Sequence, residues 1–462
     1  AIQAYELALN IRKKNNLAAD IAVSHNNLGN LYLQIGKTDE ALKNFQKALD
    51  YRLEQFGENA LIVAKSQTTL AGVLLEKGAV IHAKDLYKNA LKIRIQNLGE
   101  NDLSLAPIYD DLGLIFQYQN DLDSAQIYHQ NALKITLQFF GESSLETGRI
   151  YNNLGNCHFQ KKDFDTALKY YGYTRRVFEN LLEKDDPILA DCLNNFGSCY
   201  FEKGDLDEAL TYFNQALDIA EATDFDPQKQ AVYKTNVGQI HALSNNWETA
   251  YVHYEGAIDL LKKLPGSSLH LPSVLTAIGE LFLKQNAQPD RNDLELALEK
   301  FSEALSLLNQ HWNSYQNPES VQVLLDNNYK VFEFLTETHF RLWKVSGEKN
   351  YLENAFEIIE KSKGMVRNEL FQKRFLKGKF SVSESYIPKI SDLQNQLLTD
   401  DRALLDWFFA DSVFYIFAIT KNDFFCVREN LDFPIRDRIS GMRSGIYHFP
   451  IAGGKAAGKH NE

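Results

Sequence analysis

The stretch Asn26-Asn27-Leu28-Gly29-Asn30-Leu31-Tyr32, followed by Ala41, Phe45 and Ala48, decides the fold. Its glycine recurs as a small residue at Ala71, Gly113, Gly155, Gly197, Gly238 and Gly279. The first four steps are 42 residues each and the last two are 41. A fixed period of this size marks stacked helical units, none of which can bury its apolar face alone. The small residues sit where two antiparallel helices cross, and the aromatics fill the space beside them.

The later units repeat the pattern. Ala83, Tyr87 and Ala90 follow Ala71; Ala125, His129 and Ala132 follow Gly113; Ala167, Tyr171 and Thr174 follow Gly155. Ala209, Phe213 and Ala216 follow Gly197, and Ala250, Tyr254 and Ala257 follow Gly238. In the last unit Ala297, Phe301 and Ala304 arrive six residues late, which places an insertion at Gln285 to Arg291, between the two helices. Ala1, Ala8 and Leu9 read as the second helix of an earlier unit. The chain starts inside a repeat half without an initiator Met, as a fragment or a cut product would.

This spacing resembles the tetratricopeptide repeat, whose usual unit is about 34 residues. The extra length here corresponds to about one turn, four residues, per helix. The proline that ends the family pattern is missing; Leu53 stands in its place. The links Phe56-Gly57-Glu58, Leu98-Gly99-Glu100 and Phe140-Gly141-Glu142 are similar to those of the longer kinesin-light-chain type. A glycine there suits a left-handed cap on the second helix. The resemblance implies a mostly α fold: a right-handed superhelix (an α-solenoid) of about seven helix pairs over residues 1–310, followed by capping or linker helices over 311–350.

Bulk properties narrow the function. The net charge is −12 and the pI about 5.5, which disfavours a general grip on nucleic acid. The densest basic stretch, Lys361 to Lys379, reads as a solvated helix face. No run of apolar residues is long enough for a membrane span, and no signal peptide stands out. Four cysteines in 462 residues make no disulfide scaffold, so a cytoplasmic setting is expected.

By the same resemblance, the first helix of each pair lines an inner groove. Residues three and two before each anchor then face it: Asn26-Asn27, Thr68-Thr69, Asp110-Asp111, Asn152-Asn153, Asn194-Asn195, Thr235-Asn236 and Thr276-Ala277. Asn30 and Asn156 follow their anchors directly. Asparagine is a poor residue for a helix interior, so its recurrence asks for a reason. A carboxamide donates and accepts, and can clamp the backbone of an extended peptide without reading its sequence. Asn26, Asn27, Asn30, Asn152, Asn153, Asn156, Asn194, Asn195 and Asn236 are the candidate peptide-binding residues. The alternative is that these amides bridge neighbouring repeats or hold water. The residues six before the anchors, among them Lys65, Arg149 and Asp191, form no basic clamp for a C-terminal carboxylate.

No catalytic, metal or cofactor site is expected in this chain. Cys157 and Cys199 share a register position with Leu31, Val73, Ile115, Ile240 and Leu281, which is a core position. His158 takes the slot of Tyr32, Phe116, Tyr200 and Phe282. No GxxxxGK[ST] loop, HExxH pair or GxSxG elbow is present.

Beyond Phe301 the repeat dissolves. Ser320 to Val345, with Val323, Leu324, Phe332, Leu335 and Leu342, has helical spacing, as has Tyr351 to Leu376. Arg402 to Ala410, which contains ALLDWFFA, then Val413 to Thr420 (VFYIFAIT) and Phe424 to Arg428 (FFCVR), reads as three strands with tight turns. Asp437 to Tyr447 has the pattern of a further helix. The run Ala355 to Gly364 (AFEIIEKSKG), with Ala403 to Phe408 and Phe417 to Thr420, resembles the entrance to a CHAT domain, a caspase-like module, over residues 351–450. The resemblance implies a truncated α/β segment, with a flexible tail at 451–462. The family's histidine loop and cysteine strand are missing; neither Cys426 nor His448 sits in the required motif. The expected function is a scaffold for a protein or peptide segment, the sensor half of a TPR-CHAT protein. The alternatives are a peptidase in a longer parent chain and a passive oligomerisation scaffold.

Overall fold

The computed structural model describes residues 2–15, 18–223, 225–264, 270–314, 330–375, 389–396, 398, 403–410 and 413–430. The chain forms two compact units, Ala1–His270 and Leu271–Glu462.

The first unit opens with α1 (Ile2–Lys14), whose Leu9 packs on Ile21 and Leu28 of the next helix. Six helix pairs follow. They are α2 (Ala18–Gln34) with α3 (Thr38–Phe56), α4 (Leu61–Glu76) with α5 (Val80–Leu98), and α6 (Ala106–Tyr118) with α7 (Leu122–Phe140). Then come α8 (Leu145–Gln160) with α9 (Phe164–Leu181), α10 (Pro187–Lys203) with α11 (Leu206–Ala222), and α12 (Pro227–Leu243) with α13 (Trp247–Lys262). The second unit holds the seventh pair, α14 (Leu271–Lys284) and α15 (Arg291–Ser314). The solenoid expected from the 42-residue period is therefore present, and the insertion falls between α14 and α15.

The anchors explain the pairing. A Cβ added at Gly29, Gly113, Gly155, Gly197, Gly238 or Gly279 would lie under 3.0 Å from the ring of Phe45, His129, Tyr171, Phe213, Tyr254 or Phe301 respectively. Each ring is pressed on bare backbone of the partner helix, so at these six anchors a side chain fits only if the ring shifts. The alanines at the second helix (Ala41, Ala83, Ala125, Ala167, Ala209, Ala250) are all fully buried at the same crossing.

The local signals are ordinary ones used repeatedly. The Asp186 side chain accepts the Ile188 N–H at 2.8 Å and Pro187 opens α10. Gly204, at φ 85° and ψ 5°, closes it in the left-handed region. The turn between the two helices of a pair carries a positive φ at Gly36, Gly78, Asn120, Lys162, Gly204 and Asn245, again about one period apart. The inter-repeat glycines differ from expectation. Gly57, Gly99 and Gly141 have φ of 77°, 86° and 72°, but ψ of 166°, 169° and −169°. That combination lies outside the left-handed helical region, in a corner that essentially only glycine enters. It turns the chain out of the second helix while the glycine N–H still bonds the carbonyl four residues back.

In the second unit, α16 (Lys330–Ser346) and α17 (Lys349–Phe375) pair, followed by the short α18 (Ile390–Gln396). Strands β1 (Ala403–Phe409), β2 (Val413–Thr420) and β3 (Phe424–Asn430) form an antiparallel meander in the order β1-β2-β3. Leu405 pairs with Ala418, and Phe417 with Cys426. Phe408, Tyr415, Phe417, Ile419, Phe424 and Cys426 pack on Phe356 and Ile359 of α17 and Phe340 of α16. The expected strands are all found, β3 running two residues further than its apolar stretch. Val323, Leu324, the helix expected at 437–447, His448 and the tail at 451–462 lie outside the described residues.

Candidate functional site

The residues three and two before each anchor fall in mid-helix on the first helix of each pair, and from α6 to α12 side chains of neighbouring first helices meet there. They form a ladder. Asn153 of α8 donates its amide hydrogens to the Asp110 carboxylate of α6, at 3.0 and 3.1 Å. Asn195 of α10 donates to the Asn152 carbonyl oxygen at 2.9 Å. Asn236 of α12 donates to the Asn194 carbonyl oxygen at 2.8 Å. Each of these amides is half-buried. A carboxamide has two N–H groups and two lone pairs, so a rung between two amides engages only part of each.

The other candidates divide. Asn26 and Asn27 hold the same register in α2 and are half-buried, while Asn30 is exposed. Asn156 accepts the Tyr171 hydroxyl at 2.7 Å, inside its own repeat. The threonines that replace asparagine turn inward on their own helices: Thr68, Thr69, Thr235 and Thr276 each donate to the carbonyl four residues back.

The third repeat departs from the amide pattern. Asp110 is 3% exposed and sits 2.7 Å from His129 Nδ1 while also holding Asn153. Arg149 approaches the same carboxylate at 3.8 Å. The adjacent Asp111 accepts the Tyr87 hydroxyl, and burial pushes its carboxyl up to about 6. His129 stands where the other repeats place a phenyl or phenol ring, and its Nε2 is buried without a partner.

A second periodic feature lies beside the row. In four consecutive repeats a ring three after the anchor stacks on a ring fifteen after it. These are Phe116 on Tyr128 (5.1 Å), His158 on Tyr170 (5.4 Å), Tyr200 on Tyr212 (5.5 Å) and His241 on His253 (5.8 Å). Lys84 and Lys88 of the preceding repeat both lie 5.4 Å from the Phe116 ring. Exposed ion pairs also cross the repeats at 38-residue separation: Lys77 with Asp39, Lys161 with Asp123 (2.7 Å) and Lys203 with Asp165 (2.8 Å). The ring pairs are legible in the sequence as aromatics in fixed slots; the ladder is legible only as the alternative in which the amides bridge neighbouring repeats, because the choice depends on how one repeat sits on the next.

Cys157 and Cys199 are fully buried, as their register requires; Cys199 packs in the apolar core and the Cys157 thiol donates to the Leu122 carbonyl at 3.2 Å. His158 is buried and bonds Asp163 at 3.0 Å. Cys426 is buried in the sheet, which pushes its thiol up to about 12, the opposite of what a thiolate nucleophile needs. Among the described residues no group of three His, Cys, Asp or Glu is placed to hold a metal ion. No described helix is long and apolar enough to cross a membrane.

No curated protein matches this sequence. Solved structures similar to it include BtubC (BKLC) from P. vanneervenii, at 22% identity, 52% of this chain, 94% of that one and a TM-score of 0.41. A Podosopora anserina kinesin light chain of nearly identical TPR-like repeats aligns at 16% identity over 45% of this chain and 98% of its own, with a TM-score of 0.39. The apo form of RapI aligns at 14% identity over 67% and 99%, with a TM-score of 0.45. These are likenesses of fold alone. The family model described as tetratricopeptide repeat matches residues 1–54, 20–93, 62–138 and 146–222. Residues 1–138 and 146–222 of this chain are thus similar to tetratricopeptide repeats, over a little less than half of its length.

Proposed function

We propose that the chain is a protein-interaction scaffold, working in the cytoplasm, whose amide row holds the backbone of an extended segment from a partner protein. The observation that carries this reading is the row itself. Asn152, Asn153, Asn194, Asn195 and Asn236 recur at two adjacent register positions, half-buried, and the rungs between amides use only part of their hydrogen-bonding capacity. Asn26, Asn27, Asn30 and Asn156 extend the proposed surface. Shape and amide hydrogen bonds do the work, with no bond-making, no cofactor and no contact with nucleic acid or membrane.

The same bonds favour a second reading, in which the row is a staple between repeats and the chain a passive structural or oligomerisation scaffold. A fluorescent random 12-residue peptide library separates the two. Peptides selected on the wild-type protein are expected to lose about tenfold or more in affinity on Asn26→Ala plus Asn27→Ala, two candidate residues that take part in none of the three rungs. Selection of no peptide, or equal binding by the variant, supports the staple.

For residues 351–450 we propose the opening of a CHAT-like module that the scaffold regulates in a longer protein, which would then be a cysteine peptidase. Support comes from the long α17 followed by the meander, and from Lys363 at 2.5 Å from Asp406, which ties the Glu-Lys-Ser-Lys run to β1. Nothing in this reading makes Cys426 the nucleophile. Sequence of the parent gene beyond residue 462 tests it: absence of a downstream histidine loop and cysteine strand ends the peptidase reading.

A further inference from the structure

The links that carry the chain from one helix pair to the next repeat as closely as the anchors do. Phe56, Leu98 and Phe140 stand 42 residues apart at the ends of α3, α5 and α7, and Leu181 ends α9. Leu61 and Leu145 open α4 and α8. All six are 39–53% exposed. A lone exposed Leu or Phe is ordinary. Exposure repeated at the same place in four successive links makes a stripe. Gly57, Gly99 and Gly141 hold it in position, because their shared backbone geometry sets how the chain leaves each helix.

The links adjoin one another. Asn97, beside Leu98, donates to the Asn59 carbonyl of the preceding link at 3.1 Å. The Asn153–Asp110 and Asn195–Asn152 rungs keep α6, α8 and α10 in step, and with them the links that feed these helices. Around the stripe the charge has one sign. Residues 53–62, 95–104, 137–146 and 179–188, four windows 42 apart, hold ten Asp and Glu residues and a single cation, Lys184. Glu58, Glu100 and Glu142 share one register position and are exposed, and among the described residues no cation forms an ion pair with them. The opposite end of the helices differs: there Lys77 with Asp39, Lys161 with Asp123 and Lys203 with Asp165 neutralise each other.

We propose that this edge of the first unit is a docking surface for a basic amphipathic helix of a partner protein. The helix lays its apolar face on the stripe and its Lys and Arg against the carboxylates. Packed helices lie about 8–10 Å apart, which sets the step between adjoining links. Seven residues of helix rise about 10.5 Å, so one apolar residue per heptad meets each link. The carboxylates argue against other occupants. A second copy laid edge to edge sets like charges against each other, and nucleic acid or an anionic membrane brings further negative charge. The surface lies at helix ends, apart from the mid-helix amide row, and stands whether or not that row binds.

Fluorescence anisotropy on the full chain tests it, with a labelled helical peptide of about 21 residues that carries leucine along one face and lysine elsewhere. A twin with glutamate for lysine is the comparison. The lysine peptide should bind the wild type at least about tenfold more tightly than its twin, and less tightly as salt rises. Phe56→Ser, Leu98→Ser and Phe140→Ser together, all at exposed positions, should weaken it about tenfold or more. Glu58→Gln, Glu100→Gln and Glu142→Gln together should weaken it and flatten its salt dependence, and this variant decides if the serine variant does not fold. Asn26→Ala plus Asn27→Ala should bind as wild type does. Equal binding of the two peptides, or no loss on the serine or glutamine variants, overturns the proposal. Loss on the asparagine variant moves the peptide to the amide row and overturns it too. A wild-type dimer in sedimentation that the serine variant abolishes assigns the stripe to a second copy instead.

Discussion

At Gly155 a side chain one methyl larger would run into the Tyr171 ring, and Tyr171 is itself fully buried. Gly155→Ala is therefore expected to cost about 1–3 kcal/mol, as overpacked cores do. Thermal unfolding measures it, and a melting temperature equal to wild type would show that the ring has room to move. Lys162 makes the opposite case. It holds φ of 60° at a turn position where three other repeats use glycine. Lys162→Gly should stabilise by about 0.5–1 kcal/mol, since a side chain there is strained by about that much more than glycine's extra freedom costs. An unchanged or lowered urea midpoint argues against strain at this turn. The row of positive φ values was within reach of the sequence. Gly36, Gly78 and Gly204, with Asn120 and Asn245, recur in step with the anchors. Lys162 hides the signal because lysine is not a turn residue by type.

Among elements, the join of α16 to the sheet depends on one carboxylate. Glu337 receives Arg341 at 2.6 Å, Arg428 at 2.9 Å and the Tyr415 hydroxyl. Burial works against its charge, but these donors together hold it below the usual glutamate range. Glu337→Gln keeps the size and removes the charge that both arginines face. It should cost about 1.5–3 kcal/mol, and amide exchange in β2 and β3 should rise first. Exchange that rises evenly through the second unit would assign Glu337 a general role. The strands themselves were legible from their aromatic and β-branched runs. The latch was not, because Glu337 and Arg428 are 91 residues apart and nothing local marks either. The amide ladder was half legible for the same reason. Asparagine at one register announced a role, but the choice between holding a ligand and holding the next repeat depends on inter-helix spacing.

For the molecule as a whole, acid acts through buried imidazoles. Burial lowers the His339 side chain to about 4 and also holds His25 and His253 below the ordinary value. In the unfolded chain these groups charge near pH 6.5, so the unfolded state binds protons first. Their contribution is complete above that pH and is lost as pH falls toward 4, by up to about 1.4 kcal/mol per pH unit for His339. His339→Phe should flatten the acid limb of the stability curve of the second unit; an unaltered limb would place the proton uptake elsewhere. The 42-residue period revealed the repeated architecture at this scale because stacked units reuse one packing solution. It was silent on where the two compact units divide, since the anchor Gly279 of α14 keeps step with those before it and the insertion falls after it, between α14 and α15.

All three rungs point the same way: hydrogen on the later repeat, oxygen on the earlier one. Their dipoles share one sense instead of cancelling. The series is consequently an arrow. It begins at an anionic oxygen sink on Asp110 and finishes at Asn236, so its extremities differ chemically. A strand laid along it, whose own amides also run head to tail, would find one heading complementary and the reverse mismatched.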